Sequence, residues 1–130
     1  MSGSVDVEAF YRRYLAACNA HEFDALDRFV AADVEVNGER QGLSDYVAGL
    51  REVVRGFPDY HSDLRHLLVD GARLAAHFIN TGTHQGEAFG VPATGRRVRT
   101  QEFAFYRLAD DRIAEVWGAA DNLALVRQIS

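Results

Sequence analysis

The break at Gly56-Phe57-Pro58-Asp59 divides this sequence into a first part with helical patterns and a second part made of strands. Proline lacks a backbone donor and pushes the residue before it out of the α region, so a helix is expected to end here. Four segments rich in β-branched and aromatic residues follow, at positions 61–69, 74–84, 98–108 and 113–120. The Asp-Gly and Asp-Asp pairs between them are typical of hairpin turns, which predicts an antiparallel sheet.

Three segments before the break show helical periodicity. Apolar residues recur at spacings of three and four over residues 5–19, again over residues 23–30, and again over residues 44–54. Ser44 is the expected N-cap of the third helix. Residues 34–37 alternate apolar and polar side chains, which predicts a short strand between the second and third helices.

Three helices followed by strands can bury their apolar faces together if the sheet curves around the helices. We therefore predict an α+β fold in which a cone-shaped, curved antiparallel sheet wraps around three N-terminal helices and leaves a pocket at its mouth. Residues 85–97 contain three glycines and a proline and are expected to form a loop, and residues 122–129 a closing helix. A chain of 130 residues is in the size range of one domain, so residues 1–130 are predicted to form a single domain.

The composition argues against several kinds of partner. Hydrophobic residues make up 48% and charged residues 25% of the sequence, as in ordinary globular proteins. No apolar run is long enough to span a bilayer, and a net charge of -5 offers no basic face for phosphates, so we expect neither a membrane nor a nucleic-acid partner. Met1-Ser2-Gly3-Ser4 lacks a secretion signal and Cys18 is the single cysteine, which together predict a cytoplasmic location.

Four motifs in this order carry a resemblance to a known family: Gly82-Thr83-His84-Gln85-Gly86, Gly90-Val91-Pro92-Ala93-Thr94-Gly95-Arg96, Arg112-Ile113-Ala114-Glu115-Val116-Trp117 and Asp121-Asn122-Leu123. Over nearly its whole length the chain resembles the SnoaL-like polyketide cyclases of the nuclear transport factor 2-like superfamily. The resemblance implies a small apolar, polyketide-like substrate, a homodimer paired through the outer sheet face, and an intramolecular aldol cyclisation without metal or cofactor. In these cyclases an aspartate on the last strand is the general acid and base, and Asp121 occupies the matching position.

Asp121 is the first candidate for a catalytic residue. A carboxyl group in an apolar pocket loses hydration, its proton affinity rises, and it can exchange protons near neutral pH. The alternative is that Asp121 is the N-cap of the closing helix. Strand alternation places Trp117, Ala119 and Asp121 on one face, so Trp117 is expected either to form a wall of the pocket or to fill the core.

Four further residues are candidates for contacts with a substrate. Asn37 could hydrogen-bond a carbonyl or an enolate, or simply occupy a turn. Tyr14 could donate a hydrogen bond to an oxyanion or pack in the core. Glu102 is predicted to share with Tyr106 a strand face that points into the pocket. His84 could contact the ligand, although a histidine at a strand end more often hydrogen-bonds to a loop.

Two other functions remain open at this point. An epoxide-opening hydrolase or cyclase requires two carboxylates bridged by an arginine, and Asp121, Glu102 and Arg99 could form this set. A module that only binds a hydrophobic ligand would show an apolar cavity with Asp121 turned away as a helix cap. Ala104 stands where family members often carry a polar group, which weakens the case for aldol cyclisation in unaltered form. No His-Glu-x-x-His or Cys-x-x-Cys pattern occurs, so no metal site is predicted.

Overall fold

Asp6 caps the first helix of the computed structural model, which describes residues 6–130. Its Oδ1 accepts a hydrogen bond from the backbone N–H of Ala9 at 3.1 Å, which satisfies one of the free donors of the first turn. Helix α1 spans Val7–Asn19, as its periodicity predicts, and buries Phe10, Tyr11, Tyr14 and Ala17. Val5, where the pattern begins, lies outside the described residues.

The prediction of a second α-helix is wrong in part. Residues Phe23–Arg28 form a 3-10 helix, and strand β1 begins at once and spans Val30–Val36, so it is longer than the predicted residues 34–37. Phe23 and Leu26 are buried three positions apart, which fits a helix with three residues per turn. The backbone N–H of Ile113 donates to the carbonyl of Phe29 at 2.7 Å. Pairing with a distant strand therefore ends this helix.

Helix α2 spans Leu43–Gly56, lies against β1, and ends at the predicted break. It begins after Gly42, which is its N-cap in place of the predicted Ser44. The backbone N–H of Gly42 donates to the carbonyl of Val34 at 3.0 Å. Contact with β1 thus fixes the first turn, and the hydroxyl of Ser44 is not needed as a cap. Between β1 and α2, Glu39–Arg40 forms the short strand β2.

The four predicted long strands are present as β3 at His61–Asp70, β4 at Arg73–Thr83, β5 at Arg97–Ala109 and β6 at Arg112–Ala120. Within the described residues these four strands form one sheet together with β1 and β2, in the order β2-β1-β6-β5-β4-β3. All pairs are antiparallel except one, because β1 runs parallel to β6. The sheet is therefore mixed, which corrects the expectation of a purely antiparallel sheet. The α+β architecture itself is confirmed.

Helix α3 spans Asn122–Ile129 and packs against β5. The side chain of Gln128 accepts from the N–H of Arg99 at 2.7 Å and donates to its carbonyl at 3.0 Å. This pairing imitates one rung of a strand ladder and holds α3 to the sheet. None of the helices in the part of the chain described here combines the length and the apolar character needed to cross a membrane.

The main core lies between the inner face of the sheet and the helices α1, α2 and the 3-10 helix. The loop at residues 85–97 closes over the end of α2, where a Cβ added at Gly86 would lie 2.2 Å from the carbonyl oxygen of Arg55. Only glycine allows this approach. The N–H groups of Gln85 and Gly86 both donate to the carbonyl of Gly56 at 3.0 Å, so the loop is fixed to the helix end.

Leu26 offers a test of this packing. Its side chain is 0% exposed between the helices and the sheet. We expect Leu26→Ala to lower the free energy of unfolding by about 2–5 kcal/mol, because it leaves a cavity. Leu123 on α3 is 62% exposed, and Leu123→Ala should change the same quantity by less than about 0.5 kcal/mol. Urea denaturation followed by circular dichroism measures both; equal effects would contradict the assigned core.

Candidate active site

A cavity of about 430 Å³ lies between the inner face of the sheet and the helices α1 and α2. This volume is in the usual range for small-molecule sites. Most of its wall is apolar. Its helix side carries Tyr14, Cys18 and Tyr46, and its sheet side carries Tyr60, Ser62, Glu102 and Tyr106.

Glu102 is the acid of this cavity. It lies on β5 with its side chain half-buried and directed inward, on the same strand face as the buried Ala104 and Tyr106. A Cβ added at Gly118 would lie 3.8 Å from Glu102 Oε2, so the carboxyl group faces the neighbouring strand β6. Burial raises the pKa of Glu102, and the hydrogen bond from Asn80 Nδ2 to Oε1, at 2.8 Å, lowers it in part. The result is a carboxyl group with increased proton affinity in an apolar hollow.

Two hydrogen-bonded pairs of tyrosine hydroxyls lie at or behind the wall of the cavity, which Tyr14, Tyr46 and Tyr106 line. The hydroxyls of Tyr14 and Tyr46 hydrogen-bond to each other, and that of Tyr11 donates to Tyr106 at 3.1 Å. Burial raises the pKa of Tyr14 and of Tyr46, so both groups keep their protons over the physiological range and remain donors. The structure therefore places Tyr14 at the wall of the cavity, with Tyr46 as a partner that the sequence analysis missed.

Asp121 is not in an apolar hollow, and the expectation that it is buried in one is wrong. The residue is exposed and does not line the cavity. Its Oδ1 accepts from the backbone N–H of Ala124 at 3.0 Å, and it is the N-cap of α3. The physical reason is local, because the free N–H groups at the start of α3 are the donors within reach of this side chain.

Trp117 does not form a wall of the inner cavity, nor does it fill the core. It is 45% exposed on the outer face of the sheet, where its Nε1 donates to Glu115 Oε1 at 2.6 Å. A Cβ added at Gly38 would lie 3.2 Å from the Trp117 ring, so the indole packs on the turn between β1 and β2. Alternation does place Trp117 and Ala119 together, since both line the outer face, but strand β6 ends at Ala120, before Asp121. Alternation alone does not tell which face points inward.

Asn37 and His84 both have structural contacts. Asn37 is exposed at a turn with a φ of 52°, and its Oδ1 accepts from the N–H of Gly118 at 2.9 Å. It borders the cavity while its amide oxygen holds β1 to β6. His84 is 0% exposed, lies outside the cavity wall, stacks on Phe57, and accepts from the N–H of Thr94 at 3.3 Å through Nδ1. It anchors the loop at residues 85–97.

The arrangement required for epoxide opening is absent from the described residues. Arg99 is exposed and lies on the opposite face of β5 from Thr100 and Glu102, both of which are turned inward. It therefore does not bridge Glu102 and Asp121, and that hypothesis is wrong. Within residues 6–130, no three side chains of His, Cys, Asp or Glu meet as a group that could hold a metal ion.

Sequence analysis also missed Asn80 and Ser62, which adjoin Glu102. Asn80 is 0% exposed and follows the buried Phe78 by two positions on β4. The strand phase of Phe78 therefore predicts that Asn80 points inward, which is a signal that could have been used. Cys18 also lines the cavity. Burial raises its pKa to about 11, so its side chain is a thiol near neutral pH.

A second depression, of about 690 Å³, lies on the outer face of the sheet. We call its exposed apolar side chains the outer patch: Leu68, Phe103, Phe105 and Trp117. Beside them, His77 hydrogen-bonds to His66 at 2.9 Å and to Gln101 at 2.8 Å. Its wall is a single sheet face without a buried acid. It is suited to contact with another surface.

Comparison with known proteins agrees with this architecture. A solved structure of a SnoaL-like polyketide cyclase from Agrobacterium tumefaciens is 33% identical and has a TM-score of 0.86, with 98% of this chain and 100% of that chain covered. TsrD from Streptomyces laurentii is 26% identical with a TM-score of 0.87, and 98% of each chain is covered. The aklanonic acid methyl ester cyclase DnrD of Streptomyces peucetius is 26% identical over 136 residues, which cover 99% of this chain and 92% of that protein.

The match to a family as a whole is equally extensive. The family model described as SnoaL-like polyketide cyclase matches residues 8–129. The match covers helices α1, α2 and α3 and all six strands, apart from Val7 at the start of α1, and so includes every residue that lines the inner cavity. The chain belongs to the SnoaL-like polyketide cyclase family.

Proposed function

We propose that this protein is a cofactor-independent cyclase or isomerase that acts on a small apolar, polyketide-like molecule in the inner cavity, with Glu102 as general base and acid. The observation that carries the proposal is the half-buried carboxyl group of Glu102, whose pKa is raised by burial and which lies in a mostly apolar wall. Asp121, by contrast, is exposed and bonded to a helix end. We therefore assign to Glu102 the role of general acid and base that was expected of Asp121.

The proposed reaction is an internal aldol closure or a related proton shift. The Glu102 carboxylate removes a proton from a carbon next to a carbonyl group, and the enolate carbon forms a bond to a second carbonyl carbon of the same molecule. The alkoxide that results takes the proton back from Glu102. Tyr14 and Tyr46 keep their protons. One O–H is used in the hydrogen bond between them, and the other is suited to stabilise an enolate oxygen from the helix side of the cavity.

The charge of the cavity favours an uncharged substrate. Among the described residues, neither arginine nor lysine contributes to its wall, and the sequence contains no lysine at all. An anionic ligand would lose its hydration and meet the Glu102 carboxylate without a counter-charge. The relative from Streptomyces peucetius is named as a cyclase of a methyl ester, a form in which an acid carries no charge.

The outer patch supports the proposal of a homodimer, which the family resemblance also implies. Leu68 is 74% and Phe103 58% exposed on one side of the sheet. An exposed apolar area of this kind is typical of protein interaction sites. A second copy of the chain presents the same apolar face, so the two sheets can cover each other about a two-fold axis.

Glu102→Gln and Asp121→Asn form a matched pair that tests the catalytic assignment. With aklanonic acid methyl ester as the probe substrate, Glu102→Gln should lower turnover on the order of 10²–10⁴-fold, because the proton acceptor is lost. Asp121→Asn should keep turnover, because asparagine is also a good N-cap. Exchange of the acidic C–H protons in D₂O measures proton removal, and product chromatography measures ring closure. Loss of turnover only in Asp121→Asn would refute the proposal, and ligand binding without exchange in the parent would favour a binding module.

The raised pKa of Glu102 has a consequence for stability. The folded state holds the Glu102 proton more tightly than the unfolded state, so the parent should lose stability as pH rises from the ordinary value of 4.5 through the raised pKa. Glu102→Gln has no group that ionises at this position, so it should be more stable than the parent at pH 7, with a smaller difference in stability at pH 4. Urea denaturation at both pH values measures this. A parent that is more stable at pH 7 than the variant would contradict a buried, poorly hydrated carboxyl group.

Phe103→Asp tests the homodimer. A charge placed in the centre of the outer patch would be buried without a partner in the dimer, so we expect a change from dimer to monomer. Leu123→Asp is the control, because Leu123 is 62% exposed on α3 and lies outside the patch. Sedimentation velocity measures the mass of each variant. A monomeric parent, or a dimer that tolerates Phe103→Asp, would exclude pairing through this face.

A further inference from the structure

Four polar side chains form a continuous chain of hydrogen bonds from α1 to Glu102. Asn19 Nδ2 donates to the carbonyl of Ser62 at 2.9 Å, and the backbone N–H of Ser62 donates to Asn19 Oδ1 at 2.8 Å. Ser62 Oγ donates to Asn80 Oδ1 at 2.6 Å. Asn80 Nδ2 then donates to Glu102 Oε1 at 2.8 Å. The chain connects a helix with three neighbouring strands.

The sheet register brings these groups together. Ser62 on β3 is directly opposite Asn80 on β4, and Glu102 on β5 is opposite Phe78. Glu102 is therefore a diagonal neighbour of Asn80 on the same inner face. Asn80 is 0% exposed in a strand face that otherwise buries Phe78 and Ala76. A buried amide among apolar side chains is unfavourable unless its polar atoms are bonded, and here they are bonded to Ser62 and Glu102.

The direction of the chain determines which end of the Asn80 amide faces Glu102. The oxygen Oδ1 can only accept, so the hydroxyl of Ser62 is the donor to it. The amide nitrogen is thereby turned toward the carboxylate, where it donates. A reversed amide would place its oxygen against the Glu102 oxygen, which is repulsive when Glu102 is ionised. Asn19 bonds to both the N–H and the carbonyl of Ser62 and so fixes the backbone that carries the hydroxyl.

We propose that Asn80 is a positioning residue for Glu102 and that Ser62, held by Asn19, sets the orientation of the Asn80 amide. The chain holds the Glu102 carboxylate toward the cavity and stabilises its ionised form, which is the form that accepts a proton from a substrate. The use of this device in catalysis rests on the proposed function. The effect on Glu102 itself does not, and it can be measured without any substrate.

Other titratable groups near Glu102 do not provide this control. Burial raises the pKa of Tyr60, the charge of Glu102 raises it further, and a hydrogen bond with Asn80 lowers it in part. Burial likewise raises the pKa of Tyr11, Tyr46 and Tyr106, which also respond to the Glu102 charge. All four hydroxyls remain neutral while a carboxyl group titrates. The other titratable side chains at the cavity wall are Tyr14, Cys18 and His21, and His21 is engaged with the carbonyl of Tyr60 at 2.9 Å.

The test is a titration of Glu102 by NMR in protein labelled with ¹³C at the glutamate carboxyl carbon. The signal of Glu102 is assigned by its loss in Glu102→Gln. In Asn80→Leu the donor is absent while the branched shape of the side chain is kept, so the midpoint of the titration should move to higher pH than in the parent. Ser62→Ala should move it in the same direction by a smaller amount, because the amide is no longer oriented.

Thr100→Val is the matched control. Thr100 is 6% exposed, is opposite Asn80 on β5, and has no hydrogen bond to Asn80 or Glu102 among the described residues. The midpoint of the Glu102 titration in Thr100→Val should equal that of the parent. A midpoint in Asn80→Leu that equals that of Thr100→Val, or lies lower, overturns the inference. If thermal melting shows that Asn80→Leu does not fold, Ser62→Ala decides, and an unchanged midpoint there overturns it as well.

The two proposals fail in different ways. An upward shift in Asn80→Leu together with full turnover in Glu102→Gln would keep Asn80 as the partner of Glu102 and refute the catalytic role of Glu102. Loss of turnover in Glu102→Gln together with an unchanged Glu102 midpoint in Asn80→Leu and Ser62→Ala would keep the catalytic role of Glu102 and refute the role of Asn80. If both proposals hold, the pH profile of kcat should shift upward in Asn80→Leu in parallel with the NMR midpoint.

Discussion

The alternation of side chains across β4, β5 and β6 is the constraint on which the rest of this structure depends. Each strand sends every second side chain to the inner face, so Asn80, Glu102 and Val116 share a wall with the core. The intervening residues, such as Phe103 and Trp117, are exposed on the outer patch. One sheet therefore serves two purposes, the wall of a cavity on one side and an apolar surface on the other. A slip of one residue in register would exchange these two roles.

The inner cavity exists because small residues follow one another where the strands meet. Gly118 and Ala120 leave space beside Glu102 that larger side chains would fill. A buried carboxyl group is unfavourable for folding, since it loses hydration. Here the hydrogen bond from Asn80 compensates only in part, and the pKa of Glu102 stays raised. Stability is thus exchanged for proton affinity, a compromise often seen where a site must carry out chemistry.

Much of the fold could be predicted because its signals are local. Strands β3 to β6 and helix α1 have long periodic patterns with clear turn or cap residues at their ends. The end of the 3-10 helix and the parallel pairing of β1 with β6 could not be predicted, because the hydrogen bond from Ile113 to Phe29 joins residues far apart in sequence. Family resemblance was equally limited at Asp121, where the motif is present but the side chain caps a helix.

The sequence by itself determined the α+β class, the four long strand segments, the family and the presence of an acid at position 102 in phase with Tyr106. Only the tertiary structure decided which strand face is inside. Glu102 therefore bonds to Asn80 and lines the cavity together with the tyrosines, while Trp117 and Asp121 lie outside it. The reason is physical. Periodicity records that two faces differ, but the face that loses water is chosen by the helices that pack against it, and desolvation is what gives a carboxyl group its proton affinity.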